Sequence, residues 1–305
     1  MNPPGLSRII SALKKEDKEG SAGMPAGFQG KHMNKKSDIK VLVACHKPCP
    51  VPDDPMYLPL HVGREGKDPI GFTGDNTGDN ISARNPMFCE LTGLYWAWKN
   101  LDADVLGLVH YRRLFTLRSL PKGAEDEEGL KQVLTEKQAR KLLKKYKVLV
   151  PKKRNYYIET LASHYQHTHD IRQMDTAREL IAQQCPEYLD SFDRVMGQKG
   201  GYMFNMFIAP KPLMDGYCQW LFAILFPLVD RLGDEGMTAF ERRYPGRVSE
   251  ILWNVYLDHL VATGELKQEE IHPVPYMYFG RIDWPRKVKA FLGAKFLNRK
   301  YDASF

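Results

Sequence analysis

The run VLGLVHYRR, residues 105–113, joins a short apolar segment to a polar end that contains two adjacent arginines. Its first five residues predict a strand that is buried on both faces. A second run, Ile39–Ala44, has the same apolar character and is followed by His46 and Lys47. Because ligands of open α/β sheets bind at the carboxyl ends of the strands, both polar ends are candidate binding residues.

Strand and helix patterns alternate over most of the chain, which predicts an α/β fold with a largely parallel sheet. Residues 47–80 are the exception, since they contain many Pro, Gly and Asp without a clear period and predict a long loop. The remaining predicted elements are, in order, a helix that opens at Asn85-Pro86, a helix over 135–146 capped by Thr135, a strand over 148–150, helical segments over 156–168, 175–184 and 186–196, a strand over 202–208, and helices over about 211–232 and 247–262.

The composition is that of a folded protein. Of 305 residues, 43% are hydrophobic and 27% are charged, which excludes disordered and fibrous classes. The formal net charge of +7 favours an anionic partner, such as a phosphorylated small molecule, a lipid surface or nucleic acid. Five scattered cysteines without a CxxC pair fit a reducing compartment. Since no secretory signal opens the chain and its longest apolar run, 220–229, is too short to span a bilayer, we expect a cytoplasmic protein, soluble or peripheral.

Composition divides the chain into three segments. Residues 1–36 are polar and predict a flexible or cloning-derived N-terminal tail. Residues 37–285 carry the α/β pattern. Residues 286–305 form a basic tail in which cations alternate with apolar residues such as Phe291 and Phe296, a pattern typical of a helix on anionic lipid. A terminal helix packed on the domain is the alternative.

The polar strand ends favour phosphate binding. Guanidinium groups bind phosphate oxygens in bidentate fashion and stay charged, so His110-Tyr111-Arg112-Arg113 can grip a diphosphate. The alternative is a solvated basic turn that binds no ligand. Asp79 and Asn80, in a segment rich in turn formers, either bind a ribose or uracil or hold turns.

Three carboxylates are candidates for a general base: Asp193, Glu241 and Glu250. Glu250 is predicted in the first turn of a helix, where the helix dipole also favours a carboxylate, so a capping role competes. His164 and His167 lie three residues apart, on one helical face, but no carboxylate or thiolate completes an obvious metal-binding set. The polar lining of a cleft, or a surface helix end, is therefore favoured over a metal site. The sequence contains no Walker loop, GxGxxG, HExxH or GxSxG motif, which disfavours P-loop, dinucleotide, zinc-protease and serine-hydrolase chemistry.

Residues 80–100, followed by Gly107–Arg113, resemble a bacterial family of capsular or exopolysaccharide biosynthesis glycosyltransferases, long classed as a domain of unknown function. The resemblance covers roughly residues 39–262. It continues through Tyr156–Glu159, His164-Tyr165, Asn205–Ile208, Trp220–Phe222 and Arg247–Glu250.

The resemblance implies a GT-A-like fold and inverting transfer of galactofuranose from UDP-galactofuranose to a lipid-linked glycan acceptor, in capsule or O-antigen synthesis at the cytoplasmic face of the membrane. UDP-galactopyranose or another UDP-hexose is the alternative donor. A non-catalytic basic module that binds RNA or a membrane is the alternative from another class, although no RRM, KH or helix-turn-helix signature supports it, and we expect no nucleic-acid partner.

The resemblance also implies roles for particular residues. The catalytic base is expected to be Glu250, with Asp193 second, and His164 and Tyr165 are expected to line the acceptor side or cleft. The expected nucleotide-sugar-binding residues are His46, Lys47, Asp79, Asn80, Arg84, His110, Tyr111, Arg112, Arg113 and Asn205.

Metal independence is a further expectation. Many GT-A enzymes end the corresponding strand with a DxD motif that holds a divalent metal on the diphosphate. Here His110–Arg113 stands at that place, and cationic side chains can neutralise a leaving diphosphate without a metal. Asp102 and Asp104 form a DxD string, but they precede the strand and are expected to form its entry turn.

Overall fold

The computed structural model describes residues 37–118 and 126–279. The strands are β1 (Ile39–Cys45), β2 (Tyr57–His61), β3 (Thr73–Gly74), β4 (Val105–His110), β5 (Arg113–Phe115), β6 (Val148–Pro151), β7 (Arg154–Asn155), β8 (Gly200–Gly201), β9 (Phe207–Pro210), β10 (Ile271–Val274) and β11 (Tyr276–Tyr278). The α-helices are α1 (Asn85–Phe88), α2 (Leu91–Asn100), α3 (Asp126–Leu130), α4 (Glu136–Leu143), α5 (Leu161–Thr168), α6 (Arg172–Gln184), α7 (Leu189–Met196), α8 (Lys211–Leu232) and α9 (Tyr244–Ala262). The tails at 1–36 and 286–305 lie outside the described residues.

The central sheet has the strand order β10-β6-β9-β4-β1-β2-β3, with β5 and β11 attached at the end of β4. The pairs β1–β2, β1–β4, β2–β3 and β6–β10 are parallel, whereas β9 runs antiparallel to both β4 and β6. The predicted α/β class with a mostly parallel sheet is therefore confirmed. In the β1–β4 ladder Ala44 pairs with His110, which brings the two polar strand ends to the same edge of the sheet.

Helix α8 is the largest apolar element beside the sheet. Its length and mean hydropathy would suffice to cross a membrane, but 61% of its most apolar window is buried inside the protein. It packs against α2, α6 and α9. Tyr217 on α8 meets Trp253 on α9 with ring centroids 4.6 Å apart, and Phe207 of β9 lies 4.8 Å from Trp253. Helix α8 is therefore a core helix of this domain.

The segment predicted as a loop, residues 47–80, contains two strands, so that prediction was wrong in part. Tyr57–His61 pairs in parallel with β1 although Pro59 interrupts its apolar pattern. The rest of the segment is held by Asp75, a fully buried carboxylate that accepts hydrogen bonds from the backbone N–H groups of Gly63 and Arg64 and from Thr92 Oγ1. These bonds order a stretch that lacks hydrophobic periodicity.

The strand predicted over 202–208 is also displaced. Strand β9 begins only at Phe207, and Phe204 and Asn205 have φ values of 77° and 49°, in the left-handed region. The apolar residues before Phe207 are buried in a turn, which a hydrophobic pattern alone does not distinguish from a strand. Smaller shifts occur at helix starts: the segment expected from 156 becomes helical at Leu161, the one expected from 175 at Arg172, and the one expected from 247 at Tyr244.

Gly107 of β4 lies between β1 and β9, where it pairs with Val41 and Ile208. A Cβ atom at this position would come within 3.0 Å of the Phe207 carbonyl oxygen and of Val41 Cγ2, and within 2.9 Å of Ile208 Cγ1. We expect Gly107→Ala to lower the free energy of unfolding by about 1–3 kcal/mol, because the central sheet is overpacked. Urea denaturation measures this change. Gly197→Ala is the matched control, since its Cβ would meet ordinary contacts at 3.5 Å and its φ is −77°. Equal midpoints for the two variants would contradict the packing argument.

Candidate active site

A cavity of about 910 Å³ opens at the carboxyl ends of β1 and β4. Its other walls are the junction between α1 and α2, the segment around β7 and α5, the turn before β9, and the first two turns of α9. This is the edge at which open α/β sheets bind ligands. The residues that form its floor at the strand ends are Ala44, His46, His110, Tyr111, Arg112 and Arg113.

Cationic side chains dominate the charge of this cavity. Of the described residues, two carboxylates line it, Glu90 and Glu250. The cations that line it are Lys67, Arg112, Arg113, Arg154, Arg242, Arg243 and Arg247. Clefts lined by one sign of charge attract ligands of the opposite sign. The cavity is therefore suited to a small, multiply charged anion.

Aromatic contacts join the ends of β1 and β4. The Tyr111 ring meets the His46 ring edge to face at 5.2 Å, and Lys47 Nζ lies 5.8 Å from the Tyr111 ring centroid. The Arg112 guanidinium lies 5.3 Å from the same ring. The Tyr111 ring therefore orients the exposed side chains of Lys47 and Arg112 through cation–π contacts. Lys47 stands beside the cavity without being part of its wall.

Arg113 opens β5 and is held between two other rings. Its guanidinium lies 4.5 Å from the Phe204 ring centroid and 5.2 Å from the Tyr278 ring centroid. The aromatic faces leave the edge of the planar guanidinium available for hydrogen bonds to an anion. Arg113 therefore has a fixed orientation at the cavity wall.

The turn at Phe204–Asn205 connects the sheet edge to α9 and α1. Asn205 Nδ2 donates to Glu90 Oε1 at 2.7 Å and to the Gly246 carbonyl oxygen at 3.0 Å, and Ser249 Oγ donates to Asn205 Oδ1 at 2.9 Å. The side chain of Asn205 is thus engaged by the protein itself. It was predicted to bind the sugar; the structure places it beneath the cavity, where it fixes the backbone of Phe204.

His110 is bound to the same turn. Its Nε2 lies 2.7 Å from the Phe204 carbonyl oxygen and therefore carries the proton of this hydrogen bond. Burial lowers the pKa of His110, with Arg113 acting in the same direction and Glu90, whose Oε1 lies 3.9 Å away, opposing it. His110 is consequently neutral at pH 7. It acts as a donor to the backbone and adds no charge to the cavity.

Glu250 is the carboxylate of the cavity with a clearly altered pKa. Burial raises its pKa to about 7, the charge of Glu90 acts in the same direction, and a hydrogen bond with the Phe204 backbone opposes them. Helix α9 begins at Tyr244, so Glu250 lies beyond its first turn. A capping role would also lower the pKa of the carboxyl instead of raising it. A carboxyl with a pKa near 7 is suited to accept a proton at neutral pH.

A buried carboxylate, Glu159, lies between His164 and His167 and was not among the candidate site residues predicted from the sequence. Glu159 is 4% exposed; its Oε2 accepts from His164 Nδ1 at 2.9 Å and its Oε1 from His167 Nδ1 at 2.7 Å. His164 stacks on Tyr156 at 3.9 Å and lines the cavity. The ring contact and Glu159 together fix the His164 imidazole.

Tyr165 also lines the cavity, but its hydroxyl is not directed at a ligand. It donates to Gln173 Oε1 at 2.6 Å within the protein. His164 and Tyr165 were expected to line the acceptor side or the cleft, and both line the cavity from α5. In the described part of the chain no group of three or more His, Cys, Asp or Glu residues is arranged to hold a metal ion.

Besides Lys47 and Asn205, four of the expected site residues lie outside the cavity wall. Asp79 accepts from the Tyr95 hydroxyl at 3.2 Å, and Asn80 bonds the backbone of Gly78 and Ser82, so both hold turns. Arg84 lies over the rings of Phe88 and Phe226, at 4.8 and 5.0 Å.

Asp193 is the fourth, and its assignment as a second candidate base is corrected. It is exposed on α7 and forms a bidentate pair with Arg178, at 2.8 and 2.7 Å. Hydrogen bonding to Arg178 lowers the pKa of Asp193, the opposite of what a general base needs. Glu241, the third carboxylate considered, is exposed in the 3-10 turn before α9 and binds Thr238.

The DxD string, Asp102 and Asp104, lies at the amino end of β4, whereas the cavity lies at the carboxyl end of this strand. Asp104 Oδ2 accepts from the Asp38 backbone N–H at 2.8 Å, and Asp104 precedes the first residue of β4, Val105. The opposite end, where the cavity lies, carries His110–Arg113. The guanidinium groups at this edge do not ligate a divalent metal, and no carboxylate follows β4 there as a DxD motif would supply.

Together these features place the chain in the GT-A-like fold class. A solved apo structure of the WbbM bifunctional glycosyltransferase superposes on it with a TM-score of 0.72 and 31% sequence identity. That match covers 80% of this chain and 46% of the other, so the chain spans about half the length of that protein. A family described as "Domain of unknown function (DUF4422)" matches residues 40–261. The chain belongs to that family. The comparison with curated proteins finds no match.

The expected binding of a diphosphate by the arginines can be tested on Arg112, whose guanidinium is exposed at the floor of the cavity. We expect Arg112→Ala to weaken UDP binding by about 1.5–3 kcal/mol, or about 10- to 150-fold in Kd, because a charge-assisted hydrogen bond is lost. Isothermal titration calorimetry measures this. Arg178→Ala, which removes an exposed arginine that does not line the cavity, should leave the Kd within twofold. Unchanged UDP affinity in Arg112→Ala would show that the diphosphate lies elsewhere.

Proposed function

We propose that this protein is an inverting glycosyltransferase that moves a hexose from a UDP-sugar to a glycan acceptor. The observation that carries the proposal is the juxtaposition, in one cavity at the carboxyl ends of β1 and β4, of an arginine cluster with Glu250, whose pKa is about 7. A diphosphate leaving group needs positive charge, and an attacking hydroxyl needs a base. The likeness to WbbM, a glycosyltransferase by its name, supports the same reaction class.

The reaction uses the two charged parts of the cavity in one step. The acceptor hydroxyl oxygen attacks the anomeric carbon of the donor as the bond from that carbon to the diphosphate oxygen breaks. The hydroxyl proton goes to the Glu250 carboxylate, and UDP leaves with the electron pair of the broken bond. Attack opposite the leaving group inverts the anomeric centre. Arg112 and Arg113 stabilise the negative charge that develops on the diphosphate.

Metal-independent transfer is part of the proposal. The edge of the sheet where GT-A enzymes commonly hold a divalent ion presents arginines in this chain, and Glu90, the nearby carboxylate, is bonded to Asn205. Cationic side chains supply the electrostatic stabilisation that the ion supplies elsewhere. The same cations would repel a divalent metal from the diphosphate subsite.

Galactofuranose is the donor sugar that we propose, because the sequence resembles a family in which galactofuranosyl transfer is the best-supported activity. UDP-galactopyranose or another UDP-hexose is the alternative within the same fold. The proposed acceptor is a lipid-linked glycan of capsule or O-antigen synthesis, handled at the cytoplasmic face of the membrane. A concave, cation-lined cavity favours a small anionic ligand over nucleic acid, which would need an open basic surface.

A donor screen tests this proposal. Purified protein is incubated with a lipid-like galactoside acceptor and each UDP-sugar, with and without EDTA. We expect product from UDP-galactofuranose that survives EDTA. Loss of product in EDTA would be consistent with a glycosyltransferase but would contradict stabilisation of the diphosphate by arginines alone. Product from another UDP-sugar only would show that the donor is not UDP-galactofuranose. No product from any UDP-sugar, together with no UDP binding, would contradict the proposed function.

Glu250→Gln is the variant that isolates the base. It should keep UDP affinity and lower turnover by about 10²- to 10⁴-fold, because the amide cannot accept the proton. Since the base must be deprotonated, kcat/KM of the wild type should rise with pH and level off above about 7. Residual turnover of Glu250→Gln should lack this rise. Turnover of the variant near that of the wild type would move the base to another group.

A further inference from the structure

Two neighbouring apolar side chains are exposed at the rim of the cavity. Tyr157 is 76% exposed and Ile158 is 66% exposed; among the described residues the other large hydrophobic side chain with strong exposure is Leu117, at 47%. Tyr156 and Leu161, which flank the pair in sequence, line the cavity. An exposed apolar patch beside a binding site commonly marks a surface that contacts a partner. We refer to residues 155–158 as the rim turn.

The rim turn is held in a defined conformation. The Tyr157 backbone N–H donates to Asn155 Oδ1 at 2.7 Å, and the Ile158 N–H donates to the Tyr156 carbonyl oxygen at 2.6 Å. Tyr157 has a φ of 57°, a left-handed conformation that is unfavourable for a residue with a bulky side chain. The next residue, Glu159, is buried between its two histidines. These bonds and the buried Glu159 hold the turn in its unfavourable backbone conformation. In this conformation the side chains of Tyr157 and Ile158 are exposed to solvent.

Positive charge surrounds the rim turn. Lys152 and Lys153 precede it and are exposed. Lys199, also exposed, lies on the adjacent segment, where its carbonyl oxygen accepts from the Tyr156 N–H at 2.8 Å. Every charged residue within 152–158 and 197–202 is cationic. The surface therefore combines two exposed apolar side chains with at least three exposed lysines.

We propose that the rim turn inserts Tyr157 and Ile158 into the interfacial layer of an anionic lipid bilayer, with Lys152, Lys153 and Lys199 at the level of the headgroups. Tyrosine is favoured at membrane interfaces because its ring is amphipathic, and lysines are attracted to anionic headgroups. This orientation turns the rim of the cavity toward the bilayer. The inference goes beyond the proposed function and does not need it, since vesicle binding requires neither donor nor acceptor.

The size of the patch favours a bilayer over a protein partner. A stable protein–protein interface buries about 800 Å² on each partner and usually contains several buried apolar anchors. Two adjacent side chains on a convex turn are far short of that. Peripheral membrane binding, in contrast, needs a few apolar side chains together with basic neighbours.

The test uses the full chain and sedimentation with large vesicles of phosphatidylglycerol and phosphatidylcholine, compared with phosphatidylcholine alone. We expect binding to the anionic vesicles that falls as NaCl is raised. The double variant Tyr157→Ser/Ile158→Ser should bind them about tenfold more weakly, because the apolar insertion is lost. Leu117→Ser, which removes another exposed hydrophobic side chain, is the matched control and should bind as the wild type does.

Several results would overturn the inference: no wild-type binding to anionic vesicles, binding of the double variant within twofold of the wild type, or equal weakening in Leu117→Ser. Intact vesicle binding with lost turnover on a soluble acceptor would instead assign the rim turn to glycan contact. Thermal unfolding and UDP affinity should be unchanged in the double variant, since neither side chain is buried or lines the cavity. Failure of UDP binding in the wild type would contradict the proposed function and leave the membrane test intact.

Discussion

The Asn205 amide holds together the parts of the molecule that form the cavity. It bonds Glu90 at the α1–α2 junction, Gly246 on α9 and, through Ser249, a second position on the same helix. These bonds stabilise left-handed conformations at two successive residues that are not glycine, a strain of about 1–3 kcal/mol each. The Phe204 carbonyl and N–H are then directed toward His110 and Glu250. This turn thereby joins the sheet edge to the first two turns of helix α9.

The cavity has two electrostatically different regions, a cationic one at the strand ends and a second one around Glu250. At the strand ends the arginines are solvent-accessible and held by aromatic rings, so positive charge is available to a ligand. In the second turn of α9 the Glu250 carboxyl is partly buried and lies near Glu90, which disfavours a second negative charge. Neutral His110 stands between the two regions and adds no charge to either. One cavity thus offers both a grip for a leaving anion and an acceptor for a proton.

Much of this arrangement could be predicted from the sequence. Buried apolar runs identified β1 and β4, and the rule that ligands bind at the carboxyl ends of strands brought His46 and His110–Arg113 to one edge. Helix α8 was predicted at its observed bounds because its apolar pattern is long. Local pattern could not show that Tyr202–Met206 is a buried turn, since hydrophobicity reports burial and not backbone direction.

Contacts across long sequence separations could not be predicted in the same way. Glu90 meets Asn205 across 115 residues, and Arg243 reaches Cys89 across 154. The spacing of Arg243 and Arg247, one helical turn apart at the start of α9, was a signal that could have added both to the candidate cations. Asp193 and Arg84 were misplaced because charge alone does not show which side of a helix faces the cavity.

A crystal structure of the protein with UDP bound is the most direct test of the central claim, that this cavity binds a nucleoside diphosphate between the arginine cluster and Glu250. We expect the diphosphate oxygens within hydrogen-bonding distance of Arg112 or Arg113, and the terminal phosphate on the side that faces Glu250. Electron density for UDP outside the cavity, or a diphosphate bound with no arginine contact, would contradict it.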